Sequence, residues 1–272
     1  MKAGQDKVDK DQGRITLNAA RMYEEYAVPA LFKGWTPKIA DAARIQPGYQ
    51  VLDVACGTGV LTRYLEESRK AQVIGIDQSG AMLSVASSTA PQIRWDEGRA
   101  ELLPYANNSF DAVVSQFGFS FFHNAEDAIK EMIRVVRPGK YIAVSVWNDR
   151  EASPLYQAFK NLASKHLGEK LIEKLKSPFS WDKQKLISLF LHPGIHFPEI
   201  TTLKTRVHFS SIKAWMYAEI QGWFPNDMVS DLALEAFIPI AEKELAKFVD
   251  PQRGVEFITS AHIATTVKEQ LD

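Results

Sequence analysis

One stretch constrains this chain more than any other: Val51-Leu52-Asp53-Val54-Ala55-Cys56-Gly57-Thr58-Gly59-Val60-Leu61. An apolar run ends in a loop of small residues and passes into Leu61-Thr62-Arg63-Tyr64-Leu65. That is a buried strand, a tight turn and a helix start, the opening of a doubly wound α/β sheet. Glycines at 57 and 59 remove Cβ atoms where a ligand would approach the backbone. The free N–H groups at the start of the following helix form an anion site.

The residues around this loop narrow the ligand. A dinucleotide fingerprint needs a third glycine or alanine, and Thr62 stands there instead. A second acid, Asp77, closes the apolar run Val73-Ile74-Gly75-Ile76, where a carboxylate can accept both hydroxyl protons of a ribose. Asp53 precedes the glycines, so a phosphate is repelled and a cationic ligand attracted. S-Adenosylmethionine has a ribose, an adenine, a sulfonium and an ammonium but no phosphate, and it matches these residue types better than NAD does.

The chain resembles the class I S-adenosylmethionine-dependent methyltransferases. The likeness starts at Val51–Leu61 and Asp77. It runs on through Gly98-Arg99-Ala100-Glu101-Leu102-Leu103-Pro104-Tyr105 and Phe110-Asp111-Ala112-Val113-Val114-Ser115-Gln116-Phe117, and reaches Arg134-Val135-Val136-Arg137-Pro138-Gly139-Lys140. Together these cover roughly residues 45–150. The series in order is what carries the resemblance, and it is nearest to the small-molecule branch of the ubiquinone/menaquinone-biosynthesis type. It implies a seven-stranded sheet of order 3-2-1-4-5-7-6 with strand 7 antiparallel. It implies S-adenosylmethionine as cofactor, with S-adenosylhomocysteine as product. Asp53, Ala55, Gly57, Thr58 and Gly59 would hold the methionine part of the donor. Asp77 would take the ribose, with Gln78 and Met82 beside it. Arg99, Ala100 and Glu101 would border the adenine, although many relatives have an acid where Arg99 stands, and arginine accepts no hydrogen bond. Gln116 and Phe117 would border the transfer site.

Bulk properties set outer bounds. The 272 residues carry a net charge of −1 with both signs mixed, which argues against a dedicated nucleic-acid or polyanion partner. Cys56 is the single cysteine, so no internal disulfide forms, and its place in the glycine loop reads as a small buried residue. Met1 to Arg14 lacks the apolar core of a signal peptide, and no run is long enough to span a membrane. The expectation is a soluble cytoplasmic protein of one domain, residues 1–272, with no membrane insertion.

Along the chain, residues 14–45 read as an N-terminal helical lid, with Pro29 starting a second short helix. In relatives this region lies over the open side of the cofactor, so Tyr23, Tyr26 and Trp35 are candidate lid residues, and Tyr23 and Tyr26 are read as acceptor-binding. Ser79 caps the helix after the second strand, and Asn124 caps the helix that Arg137-Pro138-Gly139 ends. Strand 4, Phe110 to Gln116, runs into Phe117-Gly118-Phe119-Ser120-Phe121-Phe122-His123. Ligands of doubly wound sheets sit at the carboxyl ends of strands, so Phe119 and Phe122 are read as acceptor-binding. Residues 150–195 and 211–250 form helical cap insertions over the site. Trp215, Tyr217, Trp223, Phe224 and Met228 make the second one aromatic-rich, and Trp215 is read as touching the acceptor.

Methyl transfer needs a nucleophile in line with the methyl–sulfur bond and exclusion of water. A base helps when the acceptor is a phenol, enol or amine, and His123 at the strand-4 end is the catalytic candidate. His192 and His196 are four apart, but Pro193-Gly194 breaks the helix a metal pair would use. No acid occupies the strand-4 end, where metal-dependent catechol-type relatives hold magnesium, and the base-methylating Asn/Asp-Pro-Pro-aromatic motif is absent. The expectation is metal-independent O-, C- or N-methylation of a small, partly apolar molecule. The rival is a non-catalytic S-adenosylmethionine-binding sensor or partner subunit.

Overall fold

A computed structural model describes residues 15–148, 153–176, 181–221, 229–250 and 252–270. Seven strands form one sheet in the order β3-β2-β1-β4-β5-β7-β6. They are β1 (Gln50–Val54), β2 (Gln72–Asp77), β3 (Arg94–Glu97), β4 (Phe110–Gln116), β5 (Val136–Trp147), β6 (Glu199–Phe209) and β7 (Val255–Val267). β1 to β5 run parallel, and β7 is antiparallel to both β5 and β6. Order and direction agree with the expectation, as do the bounds of β4.

The central strands β1, β4 and β5 are mostly buried on both faces, and side chains alternate between them as strand geometry requires. Val51, Ala112, Val114 and Ala143 face α2 (Thr36–Ala42) and α3 (Val60–Arg69), where they meet Ile39, Leu61 and Leu65. Leu52, Val54, Val113 and Val144 face α5 (Ala125–Val135), against Ile129, Met132 and Ile133. This alternation points Asp53, between Leu52 and Val54, toward α3. α5 ends because Val136 enters β5 directly, so Arg137-Pro138-Gly139 lies in the strand and not in a separate turn. Lys268 closes that helix end: its Nζ donates to the carbonyls of Ile133 (2.7 Å), Arg134 (3.3 Å) and Val136 (2.9 Å) and to Asn108 Oδ1 (2.7 Å).

The crevice that matters for ligands opens between β1 and β4. The chain leaves β1 toward β2 on one side and reaches β4 on the other, so the connections diverge at the carboxyl ends of these strands. On the N-terminal side, α1 (Leu17–Met22) leads into a wide π-type helix, Tyr23–Phe32, that contains Pro29. Pro29 therefore continues a helix and does not start one. The wide turn, marked by the Lys33 N–H bonding to the Val28 carbonyl five residues back, leaves room for a proline that an α-helix would reject.

The two insertions behave differently from a single cap. α6 (Pro154–Leu167), α7 (Glu169–Lys176), α9 (Ile212–Met216) and α10 (Asp231–Leu245) share one apolar core with the N-terminal helices and the antiparallel β6–β7 pair. α8 (Lys183–Leu189) instead packs Leu186 and Phe190 beside α5 on the opposite face. Trp223, Phe224 and Met228 lie outside the described residues. Among the described residues, no helix is long and apolar enough to cross a membrane.

Candidate active site

The glycine loop after β1 is shaped by backbone that leaves the ordinary allowed regions. Ala55 (φ 56°), Gly57 (φ 58°) and Gly59 (φ 86°) all take the left-handed conformation. The loop is pinned to the next strand: Asp77 Oδ2 accepts from the Gly57 N–H at 2.8 Å, while Oδ1 accepts from the Ser79 N–H at 2.8 Å. Burial pushes the Asp77 carboxyl above its ordinary value, against the opposing pull of the Ser79, Gly57 and Gln78 N–H groups.

Gly59 serves a different purpose from the one its sequence suggests. A Cβ there would stand 2.2 Å from Cη2 of Trp95, whose indole lies across the loop and also covers Gly75. Glycine is needed at 59 for packing on β3, not for ligand approach. Gly59→Ala is expected to cost about 2–3 kcal/mol, from overpacking combined with an unfavourable φ. Urea denaturation measures this; a loss below about 0.5 kcal/mol would mean that Trp95 moves aside freely.

A cavity opens at the carboxyl ends of β1 and β4, with about 880 Å³ of empty space including its mouth. Eleven of the residues read from sequence line it. They are Tyr23 from the lid, Ala55 and Gly57 from the loop, and Asp77, Gln78 and Met82 around β2. Ala100 and Glu101 follow β3, and Gln116, Phe117 and Phe122 follow β4. Ile15, Phe32, Ser79, Gly98, Gly118 and Phe121 line it too and were not read from sequence as site residues.

Other expected residues are displaced for identifiable reasons. Asp53 is 1% exposed and lies under α3, accepting from Thr62 Oγ1 at 2.6 Å. Burial raises its carboxyl to about 7, with Asp77 adding to the rise and Thr62 opposing it. Thr62, which breaks the dinucleotide fingerprint, is thus the partner that keeps Asp53 in place. Thr58 is buried in the loop and Gly59 lies beneath Trp95, so neither lines the cavity. Arg99 turns outward to Glu101 (Nε to Oε2, 3.3 Å). Glu101 lines the cavity, but its Oε1 accepts from the N–H groups of His123 (2.7 Å) and Asn124 (3.1 Å). Burial would raise the Glu101 carboxyl, yet these backbone donors, its own N–H and Arg99 outweigh that and hold it below the ordinary value. Glu101 therefore secures the entry to α5.

The acceptor side shows the same sorting. Phe119 faces the core, 2% exposed, against Phe122 and Trp181. The turn Gly118–Phe121 is a 3₁₀ helix, in which residues three apart eclipse, so Phe121 shares the cavity face with Gly118. Tyr26 stacks on Tyr217 at 5.3 Å and leaves the cavity to Tyr23. An α-helical spacing would put both tyrosines on one face, and the π-type winding separates them. Trp215 is fully buried in the helical core against Phe159 and donates to Glu219 Oε2 at 3.3 Å. His123 is exposed to solvent, outside the cavity wall. No lining residue comes from 150–195 or 211–250 among the described residues.

Phe117 makes the floor. Its φ of 61° is strained for a bulky side chain. It is held there by face-to-face stacking on Trp147 (3.7 Å, 7°) and by its N–H bonding to Ser145. The bend brings Gly118 so close to Ala55 that a Cβ on Gly118 would meet the Ala55 Cβ at 2.7 Å. Burial, followed by Glu24, Asp77, Asp53 and Cys56, raises the Tyr23 phenol well above its ordinary value, so it stays protonated. The Cys56 thiol is likewise pushed up by burial, then by Asp77 and Asp53, which fits an inert buried side chain.

Comparison with known proteins shows the family. Residues 51–139 match the family model described as a methyltransferase domain. A demethylmenaquinone methyltransferase of Staphylococcus epidermidis is 32% identical over 197 residues, covering 66% of this chain and 79% of that protein. The chain belongs to the class I S-adenosylmethionine-dependent methyltransferases. A demethylmenaquinone methyltransferase of Renibacterium salmoninarum is 34% identical over 133 residues, 49% of this methyltransferase and only about half (54%) of that relative. Phosphoethanolamine N-methyltransferase 2 of Haemonchus contortus, solved in complex with S-adenosyl-L-methionine, shares the fold at a TM-score of 0.61 and 15% identity. It covers 94% of this chain and 58% of that one.

The methyltransferase's cofactor is S-adenosylmethionine. The first loop N–H is already spent on Asp77, whose carboxyl group sits beside the loop. A pyrophosphate would meet negative charge there, whereas a cationic, phosphate-free nucleoside would not. Nothing observed favours a non-catalytic binder.

Proposed function

We propose that this methyltransferase acts on a flat, largely apolar acceptor without phosphate or carboxylate groups, of the phenol or hydroquinone class. The observation that carries the reading is the cavity wall. Phe32, Phe117, Phe121, Phe122 and Tyr23 supply rings, and no Lys, Arg or His lines it among the described residues. Its carboxylates, Asp77 and Glu101, would repel an anionic acceptor. The named relatives act on demethylmenaquinone, and another, from Thermosynechococcus vestitus, on 2-phytyl-1,4-naphthoquinone, which agrees with an apolar ring system.

S-Adenosylmethionine supplies an activated methyl group when bound. In our reading, Asp77 uses its remaining lone pairs to accept from the ribose hydroxyls, with Gln78, Ser79 and Met82 around the nucleoside. Gly98 and Ala100 border the adenine by backbone alone, because Arg99 and Glu101 are committed elsewhere. The protonated Tyr23 phenol closes the cavity from the lid and donates a hydrogen bond. The aromatic floor excludes water from the transfer site.

The test is transfer of radiolabelled methyl from S-adenosylmethionine to a panel of acceptors. Hydroquinones and phenols are expected to be methylated at least about 100-fold faster than phosphoethanolamine or aromatic carboxylates. Equal rates across the panel, or turnover of phosphoethanolamine alone, would sink the acceptor class. No turnover of any acceptor by protein that binds the donor would support the non-catalytic rival.

A further inference from the structure

We propose that Gln116 selects the acceptor: its side-chain amide oxygen takes a hydrogen bond from an O–H or N–H group of the molecule to be methylated. The inference rests on the acceptor class above and deepens it. Gln116 ends β4 and lines the cavity. Its Nε2 donates to the backbone carbonyl of Phe32 at 3.2 Å. A carbonyl cannot donate, so this bond fixes which way the amide faces. Oε1 is left buried, and no protein group among the described residues gives it a hydrogen bond.

A buried acceptor of this kind is costly to leave unpaired, and a ligand donor that reaches it recovers the cost. Position favours the acceptor as that ligand. β1 separates β4 from the Asp77 end of the cavity, where the nucleoside is assigned. At the β4 end the amide sits with Phe32 and Phe117, whose rings are 5.8 Å apart edge to face. A single acceptor atom among rings reads a flat molecule by one polar contact. Such a contact discriminates more sharply than apolar fit, because the wrong ligand leaves the protein oxygen unpaired. The same bond ties the lid to the end of β4.

Calorimetric titration of the protein loaded with S-adenosylhomocysteine, under argon, tests this with 1,4-naphthohydroquinone and its dimethyl ether, which lacks O–H donors. The wild-type protein is expected to prefer the hydroquinone by about tenfold. Gln116→Met, close in volume, is expected to bind the two alike, with affinity for S-adenosylhomocysteine within about twofold of wild type. Preference retained in the variant overturns the assignment. A parallel fall in S-adenosylhomocysteine affinity also overturns it, by giving the amide oxygen to the cofactor. The wild-type comparison stands even if the variant folds poorly: equal binding of both probes defeats the role of Gln116 alone. Binding of neither defeats the hydroquinone class, and this inference with it.

Discussion

Replacing Asp77 by alanine is expected to weaken S-adenosylhomocysteine binding at least about 100-fold, the loss of two hydrogen bonds to a charged group. Two contributions combine. In the free protein the carboxylate holds the Gly57 and Ser79 N–H groups at 2.8 Å, so its removal frees the loop that shapes the cavity. On our assignment it also accepts from both ribose hydroxyls. Asp77→Asn separates nothing, because the amide NH₂ must face one of the two backbone donors. The alanine variant with isothermal calorimetry is the informative experiment, with thermal denaturation as a check on folding. Affinity within about threefold of wild type would remove Asp77 from the cofactor site. Because burial raises this carboxyl, affinity is also expected to fall on acidification, as the group takes up a proton.

The second large effect concerns Asp53 and stability. Its carboxyl titrates near 7 in the folded protein, against about 3.9 in an unfolded chain. Between those values the folded state binds a proton that the unfolded state does not. Stability therefore falls as pH rises through this window, by up to roughly 4 kcal/mol, and levels off above it. The group contributes most below the unfolded pKa and least above the folded one. Asp53→Asn keeps an acceptor for Thr62 Oγ1 while removing the titration. Urea denaturation at several pH values between 4 and 8 is expected to show a declining wild-type stability and a flatter variant, with the variant the more stable at pH 8. Parallel curves would mean that Asp53 stays ionised throughout, and that Thr62 outweighs burial.

The residues legible from sequence were those whose roles are set by the backbone near them. The strand–loop–helix at Val51–Leu61, the acid at the end of β2 and the cap at Ser79 follow from local spacing and propensity, and the structure keeps all three. Side chains in longer-range contacts were harder. Asp53 and Gly59 sit in the expected loop, but a helix residue (Thr62) and a ring from β3 (Trp95) decide what they do. Phe119 and Phe121 differ by two positions in one aromatic run. Only the 3₁₀ winding sends the first to the core and the second to the cavity.

The sequence by itself pointed to the doubly wound sheet and to the carboxyl-end position of the site, because apolar runs and glycine placement are written into consecutive residues, while the strand order came from what the resemblance to the class I methyltransferases implies. Tertiary structure alone decided which side chains face the ligand. The π-type turn separates Tyr23 from Tyr26, the insertions draw Trp215 into the core they share with the N-terminal helices, and the Phe32 carbonyl orients Gln116 across 84 residues of chain. Each of those outcomes depends on contacts between segments distant in sequence, and no local pattern encodes where a distant segment will arrive.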